Sequence, residues 1–227
     1  MNLNAPPSPV PPLSAAEAVD ARLQADGWAV VDAATLRRLG GCTPDDEARW
    51  SADWADLPPD PHLRDGGRYR RRRHGCFVVD GPAVRAEAHR AHWQPVEYNA
   101  LHGGFERWFD PLPADWAEDT AWQRLLAGLG EVASHLRGRQ PWFVEVHPFR
   151  IDTTDGIGRP TPEGAHRDGV DLVVVVLVDR HAVKGGETRV FDAEGPQGVR
   201  FTLTEAWSAL LLDDERVIHE TTPIQPQ

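Results

Sequence analysis

The sequence predicts a mainly β protein with flanking helices (α+β), in which a largely helical first half precedes a barrel or jelly roll of short strands. Apolar residues recur at helical intervals across residues 119–137. Beyond Gly138 the chain instead forms short β-like runs separated by turn signals. With 227 residues, 41% of them hydrophobic, the chain is long enough for one sizeable core and does not require two.

The N-terminal residues differ in composition from the rest. Residues 1–13 contain five prolines, which block helical and sheet hydrogen bonding, so we expect a flexible segment there. Order is expected near Ser14, because Ser14-Ala-Ala-Glu17 has the spacing of a capping box. Residues 14–227 are predicted to form a single domain, with 14–137 as helical or irregular flank and 138–227 as the strand core.

The first ordered elements are predicted to be short. The composition favours a helix up to Gln24 and then a strand over Trp28–Val31. Asp32 is expected to cap a second helix that ends at Gly40-Gly41.

The middle third is rich in tryptophan, proline and charge. Residues 68–73 read Arg-Tyr-Arg-Arg-Arg-Arg and lead into a predicted strand, Gly75–Asp80. Such a run is most often a solvated face; the alternatives are a phosphate-binding stripe or alternate arginines that reach an anionic pocket. Further on, polar side chains stand among aromatic residues, which suits a pocket wall as well as ordinary aromatic packing. These polar residues are Gln94, Tyr98, Asn99 and Arg107.

The second half is predicted to be built from strands. Its most apolar run, residues 171–178, indicates a buried central strand. Lys184-Gly185-Gly186-Glu187 is predicted to be the hairpin turn that joins this strand to residues 188–191. The other predicted strands cover residues 142–146, 147–151, 199–203, 209–212 and 217–219.

Composition restricts the class of partner and the compartment. The 24 Lys and Arg against 35 Asp and Glu give a net charge of −11, which argues against nucleic-acid or acidic-membrane binding. The two cysteines show neither zinc-ligand spacing nor a disulfide framework, and the chain has no signal peptide pattern or membrane-length apolar run. We expect a cytoplasmic protein with a small-molecule substrate.

The residues most informative about chemistry are His166, Asp168 and His219. Residues two apart in a strand face the same side, so His166 and Asp168 can point inward together while Gly164 and Gly169 allow the strand edge to curve. Two imidazoles and one carboxylate on one face of a metal leave other positions open, which suits non-haem Fe(II). Zinc is the alternative metal, although no His-Glu-x-x-His helix accompanies these residues.

Several segments of the chain form a recognisable series when they are taken in order: Gln94-Pro-Val-Glu-Tyr98-Asn99, Gly103-Gly104-Phe-Glu-Arg107, His147-Pro-Phe-Arg150-Ile, Pro162-Glu-Gly-Ala-His166-Arg-Asp168-Gly, Gly185-Gly-Glu187 and residues 213–224. Together they resemble the bacterial 2-oxoglutarate and Fe(II)-dependent dioxygenases that hydroxylate free amino acids, the isoleucine 4-hydroxylase group. The resemblance covers most of residues 68–224.

This resemblance implies a double-stranded β-helix, a cupin-like jelly roll, with helices packed outside. It implies Fe(II) held by His166, Asp168 and His219, with 2-oxoglutarate and O2 as cosubstrates. The implied reaction hydroxylates a free L-amino acid and releases succinate and CO2. The same resemblance makes Gln94, Tyr98, Asn99 and Arg107 the substrate-binding residues.

The chain departs from the family pattern at its C-terminal residues. Such enzymes generally carry an Arg or Lys about one strand after the distal histidine, where it pairs with the far carboxylate of 2-oxoglutarate. Residues 220–227 contain no basic residue and are predicted to be too short for another strand. Three alternatives follow: the chain is truncated relative to its relatives, the activity is lost, or the cosubstrate is bound from another strand. For the last alternative Arg150 is the first candidate and Arg189 the second. The alternative roles for Arg150 are to bind the substrate carboxylate, as the resemblance also allows, or to form an exposed structural salt bridge. The unpaired sheet edge predicts reduced stability or a homodimer contact.

Two other function classes fit the residues. A cupin-like metal hydrolase or isomerase would be active without 2-oxoglutarate. A catalytically silent jelly-roll binding protein would bind metal or ligand and consume no 2-oxoglutarate.

Overall fold

A computed structural model of the chain describes residues 10–99 and 101–227. The described α-helices are α1 Val19–Asp26, α2 Ala33–Gly40, α3 Pro44–Ser51, α4 Ala114–Glu118 and α5 Thr120–Arg137. The described strands are β1 Trp28–Val31, β2 Arg70–Arg72, β3 Gly75–Asp80, β4 Ala83–Ala86, β5 Trp142–Val146, β6 Phe149–Ile151, β7 Leu172–Leu177, β8 Val183–Gly185, β9 Thr188–Asp192, β10 Gly198–Phe201, β11 Ser208–Asp213, β12 Val217–Thr221 and β13 Ile224–Pro226. Strands therefore predominate and helices accompany them, as predicted.

The central strand of the first sheet is β11, which pairs antiparallel with β1 on one side and β7 on the other. All six of its residues are buried, because the two faces of the strand meet different layers. Ala209 and Leu211 belong to the apolar core that includes α1, α2 and α5. Leu210 and Leu212 pack instead with residues of the second sheet, β10-β9-β12. The helices therefore cover one face of the central sheet, and the second sheet covers the other.

Three further antiparallel sheets are present, one of three strands and two of two strands. The sheet β4-β3-β5 contributes Phe77, Val79 and Trp142 to the core beside α5. The pairs β2-β6 and β13-β8 are two-stranded.

Two predicted helix starts are confirmed in atomic detail. The Asp32 carboxylate accepts a hydrogen bond from the Thr35 N–H at 2.7 Å and caps the start of α2. The helix ends at Gly40, and the next residue, Gly41, adopts the left-handed backbone conformation. Asp119 caps α5 by accepting from the N–H groups of Ala121 and Trp122.

The predicted capping box at Ser14 is wrong. The Ser14 N–H donates to the Val30 carbonyl at 2.7 Å, so this residue extends the pairing of β1. The residue at the N-cap of the first helical turn is Ala15, and no side chain caps that turn. A 3₁₀ turn over Ala16–Ala18 precedes α1 instead. Of the predicted flexible segment 1–13, residues 1–9 lie outside the described residues.

Three strand predictions also need correction. The apolar run containing β7 lies at the edge of its sheet, because β11 takes the central place between β1 and β7. Lys184 belongs to β8 and forms no hairpin turn, since β7 pairs with β11 whereas β9 pairs with β10 and β12. The C-terminal residues, predicted to be too short for a strand, form β13, because Ile224 pairs with Gly185.

Neither cysteine forms a disulfide, since Cys42 and Cys76 are buried and free. None of the helices in the described ranges is both long enough and apolar enough to cross a membrane.

The close crossing of α2 and α5 depends on glycine. A Cβ added at Gly128 of α5 would collide with the main-chain carbonyl of Leu39, a group that cannot move aside as a side-chain tip can.

We predict that Gly128→Ala lowers the thermal unfolding midpoint. Alanine improves helix propensity by about 1 kcal/mol, but forcing a methyl into the crossing costs about 1–3 kcal/mol or more. Gly195→Ala is the matched control, because its nearest new contact is an ordinary 3.5 Å to Asp192. A midpoint for Gly128→Ala at or above that of the unmodified protein would contradict this packing.

Candidate metal centre

His166 and His219 are held side by side by their main chains. His219 lies on β12, and His166 lies in the segment between β6 and β7. The His166 N–H donates to the His219 carbonyl at 3.0 Å, and the His219 N–H donates back at 2.9 Å. This two-way bridge places the ring centroids 4.6 Å apart, although the two residues are far apart in the sequence.

Asp168 joins the two imidazoles as predicted. Its Oδ2 lies 3.2 Å from Nε2 of His219, and its Oδ1 lies 3.9 Å from Nε2 of His166. One ligand-type atom from each of the three residues lies within 4.8 Å of those of the other two. The sequence-predicted ligands therefore form one compact donor set of two nitrogens and one carboxylate.

The hydrogen bonding of His166 suits metal binding. Its Nδ1 lies 2.9 Å from the Gly164 carbonyl oxygen, which can only accept, so the proton of the neutral ring is on Nδ1. Nε2 is then left with a free lone pair, as in metal-bound histidines whose other nitrogen donates to a carbonyl. The residues present therefore fit a divalent metal.

The ionisation of Asp168 also suits this role. Burial raises the pKa of Asp168, but the hydrogen bond from His219, the nearby imidazole of His166 and the Gln94 amide outweigh it. The net pKa lies below the usual value of an aspartate, so the group is a carboxylate at neutral pH.

Glycine is required on the C-terminal side of this segment. Gly169 has φ +77°, and a Cβ there would lie 2.5 Å from the Tyr98 ring. Gly164 has φ +82°, so both flanking glycines use the left-handed conformation that the sequence suggested. The Tyr98 ring packs on Gly169 and thereby lies beside the metal ligands.

Asp214, which the sequence prediction missed, fixes the position of the metal segment. Its carboxylate is fully buried and accepts three main-chain hydrogen bonds. The donors are the N–H groups of Asp168 at 3.0 Å, Gly169 at 2.7 Å and Val170 at 3.2 Å. A run of acidic residues, Asp213-Asp214-Glu215, was visible in the sequence, but nothing there indicated which of them is buried.

A chain of polar side chains leads away from Asp168. The Gln94 amide donates to Asp168 Oδ1 at 3.1 Å. Its oxygen accepts from Asn99 at 3.2 Å and from Arg107 at 2.7 Å. The structure therefore brings Gln94, Asn99 and Arg107, and also Tyr98, to the metal ligands.

Glu163 is a further neighbour that the sequence prediction missed. Its Oε1 lies 3.6 Å from Nε2 of His166, and its Oε2 is buried with no hydrogen-bond partner in the described ranges. The sequence could have indicated this neighbour, because Glu163 stands only three residues before His166.

The two arginines predicted to bind the cosubstrate lie elsewhere. Arg189 is paired across the sheet with Glu220, the neighbour of His219, so it occupies the opposite face of β12 and β9 from His219. There it forms ion pairs with Glu187 and Glu220. Arg150 donates to the carbonyls of Trp54 and Ala55. The structure therefore does not bring either arginine to the metal ligands.

A second group of ligand-type side chains, His74, His92, Glu145 and His147, also has its ligand atoms within 4.8 Å of one another. Burial disfavours the charge of Glu145, but hydrogen bonds from His74 and His92 hold its pKa down to about 2. The buried Arg72 donates to Nδ1 of His147 at 2.6 Å. A neutral His147 then carries its proton on Nε2, and the adjacent guanidinium opposes a second cation. We interpret this group as a hydrogen-bond network.

Comparison with known proteins gives one family. Residues 51–227 match the family model described as 2OG-Fe dioxygenase. The chain is similar to a bsmA homolog from Methylobium petroleophilum PM1, whose crystal structure is known. The two sequences are 54% identical, the alignment covers 94% of the present chain and 86% of the homolog, and the TM-score is 0.87. No curated protein matches the chain.

Two more distant structures share the fold. IDO from Bacillus thuringiensis is 15% identical in sequence. The alignment covers 94% of the present chain and 89% of IDO, with a TM-score of 0.71. The Fe(II)/(alpha)ketoglutarate-dependent dioxygenase TqaL is 21% identical, with 93% of this chain and 80% of that chain covered and a TM-score of 0.66.

We predict that Asp214→Asn weakens metal binding about tenfold or more. The amide replaces one acceptor oxygen by a donor, and a lost hydrogen bond to a buried charged group costs about 1.5–3 kcal/mol. Anaerobic titration with Fe(II) measures the affinity.

Glu215→Gln is the control, because that neighbouring side chain is 66% exposed and its ion pair with Arg137 is a surface contact of little energetic weight. Equal metal affinities of Asp214→Asn and the unmodified protein would show that Asp214 does not position the ligands.

Proposed function

Because the chain belongs to the 2OG-Fe dioxygenase family, whose members use Fe(II), 2-oxoglutarate and O2, we propose that it hydroxylates a free L-amino acid. The observation that carries the proposal is the donor set of His166, Asp168 and His219, which matches the two-histidine, one-carboxylate pattern of non-haem Fe(II) oxygenases. Fe(II) bound there, together with 2-oxoglutarate and O2, supplies the oxidation, with release of succinate and CO2.

The protein's own residues have three tasks in this proposal. His166, Asp168 and His219 hold the metal from one side, and Asp214 keeps the segment that carries two of them in place. Gln94 orients the Asp168 carboxylate through a hydrogen bond. The Tyr98 ring covers Gly169 and limits the access of water to this side of the ligands.

The proposed substrate is supported by the residues around the metal ligands. Gln94, Asn99 and Arg107 are buried and hydrogen-bonded to one another. Amide and guanidinium groups are suited to the carboxylate and ammonium groups of a free amino acid. The segments that contain these residues are those that resemble the isoleucine 4-hydroxylase group.

We also propose that residues 14–227 form one domain and that its strands form a double-stranded β-helix. The support is that the β1-β11-β7 and β10-β9-β12 sheets share one apolar core, to which Val30, Leu210, Val190 and Val217 belong.

The direct test is succinate formation from 2-oxoglutarate with Fe(II) and O2 across the free L-amino acids. We expect one or a few amino acids to stimulate succinate formation and to gain one oxygen atom. His166→Ala, Asp168→Ala and His219→Ala are each expected to reduce this turnover at least a hundredfold, since each removes a metal ligand. Mass spectrometry of the amino acid and quantification of succinate are the measurements.

His181→Ala is the matched control, because His181 is exposed and lies outside the metal centre. Activity that persists without 2-oxoglutarate, or that survives replacement of Asp168, would contradict the proposed reaction. Stimulation by other small molecules but by no amino acid would retain the dioxygenase and reject the substrate class.

A further inference from the structure

Glu163 presents a largely buried carboxylate to the metal centre. Its side chain is 12% exposed, and its Oε2 has no hydrogen-bond partner in the described ranges. Its Oε1 lies 3.6 Å from Nε2 of His166. The turn between these two residues contains Gly164, whose φ is +82° and whose N–H donates to the Thr161 carbonyl at 3.0 Å. Burying a carboxylate oxygen without a partner costs free energy, so this arrangement requires an explanation.

The ring nitrogen that faces Glu163 has no proton to donate. Nδ1 of His166 donates its proton to the Gly164 carbonyl at 2.9 Å, so Nε2 of the neutral ring carries a lone pair. A carboxylate oxygen and a ring nitrogen that can both only accept repel one another unless a cation lies beside them. A divalent metal bound to Nε2 is such a cation, because it attracts both groups.

This environment distinguishes Glu163 from the other carboxylate with a similar deficit. In the described ranges, Glu47 also has a buried carboxylate oxygen that accepts no hydrogen bond. The guanidinium of Arg37 lies 3.3 Å from that oxygen and supplies a positive charge. Glu163 faces an imidazole nitrogen of a metal ligand in place of a guanidinium. The missing positive charge therefore lies on the side of the metal centre.

Arg107 is the alternative source of positive charge. Glu163 acts on this guanidinium through space, but in the described ranges the two side chains are not within ion-pair distance. Arg107 donates instead to the Gln94 oxygen at 2.7 Å. Attraction over this longer distance offsets part of the cost of burying Glu163, but it leaves Oε2 without a hydrogen bond.

We propose that Glu163 is a second carboxylate of the metal centre and stabilises a divalent cation held by His166, Asp168 and His219. Among the described residues, the compact donor set consists of those three, so Glu163 acts from its border, by its charge or through a water on the metal. Two carboxylates match the two positive charges of such a cation. This inference rests on the proposed function, because it requires the metal, but it does not depend on the substrate.

The experiment measures the affinity of the full chain for Mn(II) alone, by calorimetric titration. Glu163→Gln keeps the size of the side chain and removes its charge. We expect this variant to bind Mn(II) about ten- to a hundredfold more weakly, as is typical when a group just beyond the direct ligands is lost. Glu163→Asp keeps the charge on a shorter side chain, so its affinity is expected to lie between those of Glu163→Gln and the unmodified protein.

Glu220→Gln is the matched control. It removes the same charge beside His219 in the sequence, but Glu220 pairs with Arg189 on the opposite face of β12, so its Mn(II) affinity is expected to be unchanged. Circular dichroism melting verifies that every variant is folded. Visible absorption of the Co(II)-saturated proteins reports on the ligands, and Glu163→Gln is expected to keep the bands of the unmodified protein because its three direct ligands remain.

Four outcomes would overturn the inference. The first is an unchanged Mn(II) affinity in folded Glu163→Gln, and the second is an equal loss in Glu220→Gln, which would indicate a general effect of charge. The third is tighter binding, which would show that Glu163 holds a proton on His166 in the metal-free protein. The fourth is a Co(II) spectrum altered as in His166→Ala, which would limit Glu163 to positioning that ring. Failure of the unmodified protein to bind Mn(II) would instead reject the metal centre and the proposed function.

Discussion

The metal centre depends on one buried carboxylate, that of Asp214. It stands in the turn between β11 and β12 and accepts the N–H groups of three successive residues from a segment far away in the sequence. Hydrogen bonds to a charged acceptor are stronger than those between neutral groups. The three hydrogen bonds that Asp214 accepts therefore offset the cost of burying its carboxylate. The same turn leads directly into His219, so one short segment supports all three metal ligands.

The helices and the second sheet give this turn a rigid base. β11 is buried on both faces because alternate residues enter two different cores, one against α1, α2 and α5 and the other against β9, β10 and β12. A strand fixed in this way cannot shift by one residue without exchanging its two sets of apolar side chains. The register of β11 therefore fixes where Asp214 lies.

Much of the site could be predicted because it depends on local spacing. His166 and Asp168 are two residues apart, and the glycines beside them carry the left-handed conformations that the curve of the chain requires. Of the predicted pocket residues, Gln94 contacts Asp168 and Tyr98 packs on Gly169, whereas Asn99 and Arg107 are linked to Asp168 through Gln94. Strand neighbours were less predictable, because the composition of the β7 run indicates an apolar strand in either a central or an edge position.

The sequence by itself determined the elements whose signals are local: the Asp32 cap of α2, the amphipathic helix α5, most strands, and the metal-ligand types at their spacing. Tertiary structure alone decided which side chains lose contact with water. It buried Asp214 but left Glu215 exposed, and it turned Arg70 and Arg72 inward while Arg150 and Arg189 lie away from the ligands. The physical reason is that burial and charge pairing depend on long-range strand register, which charge and spacing along the chain do not specify.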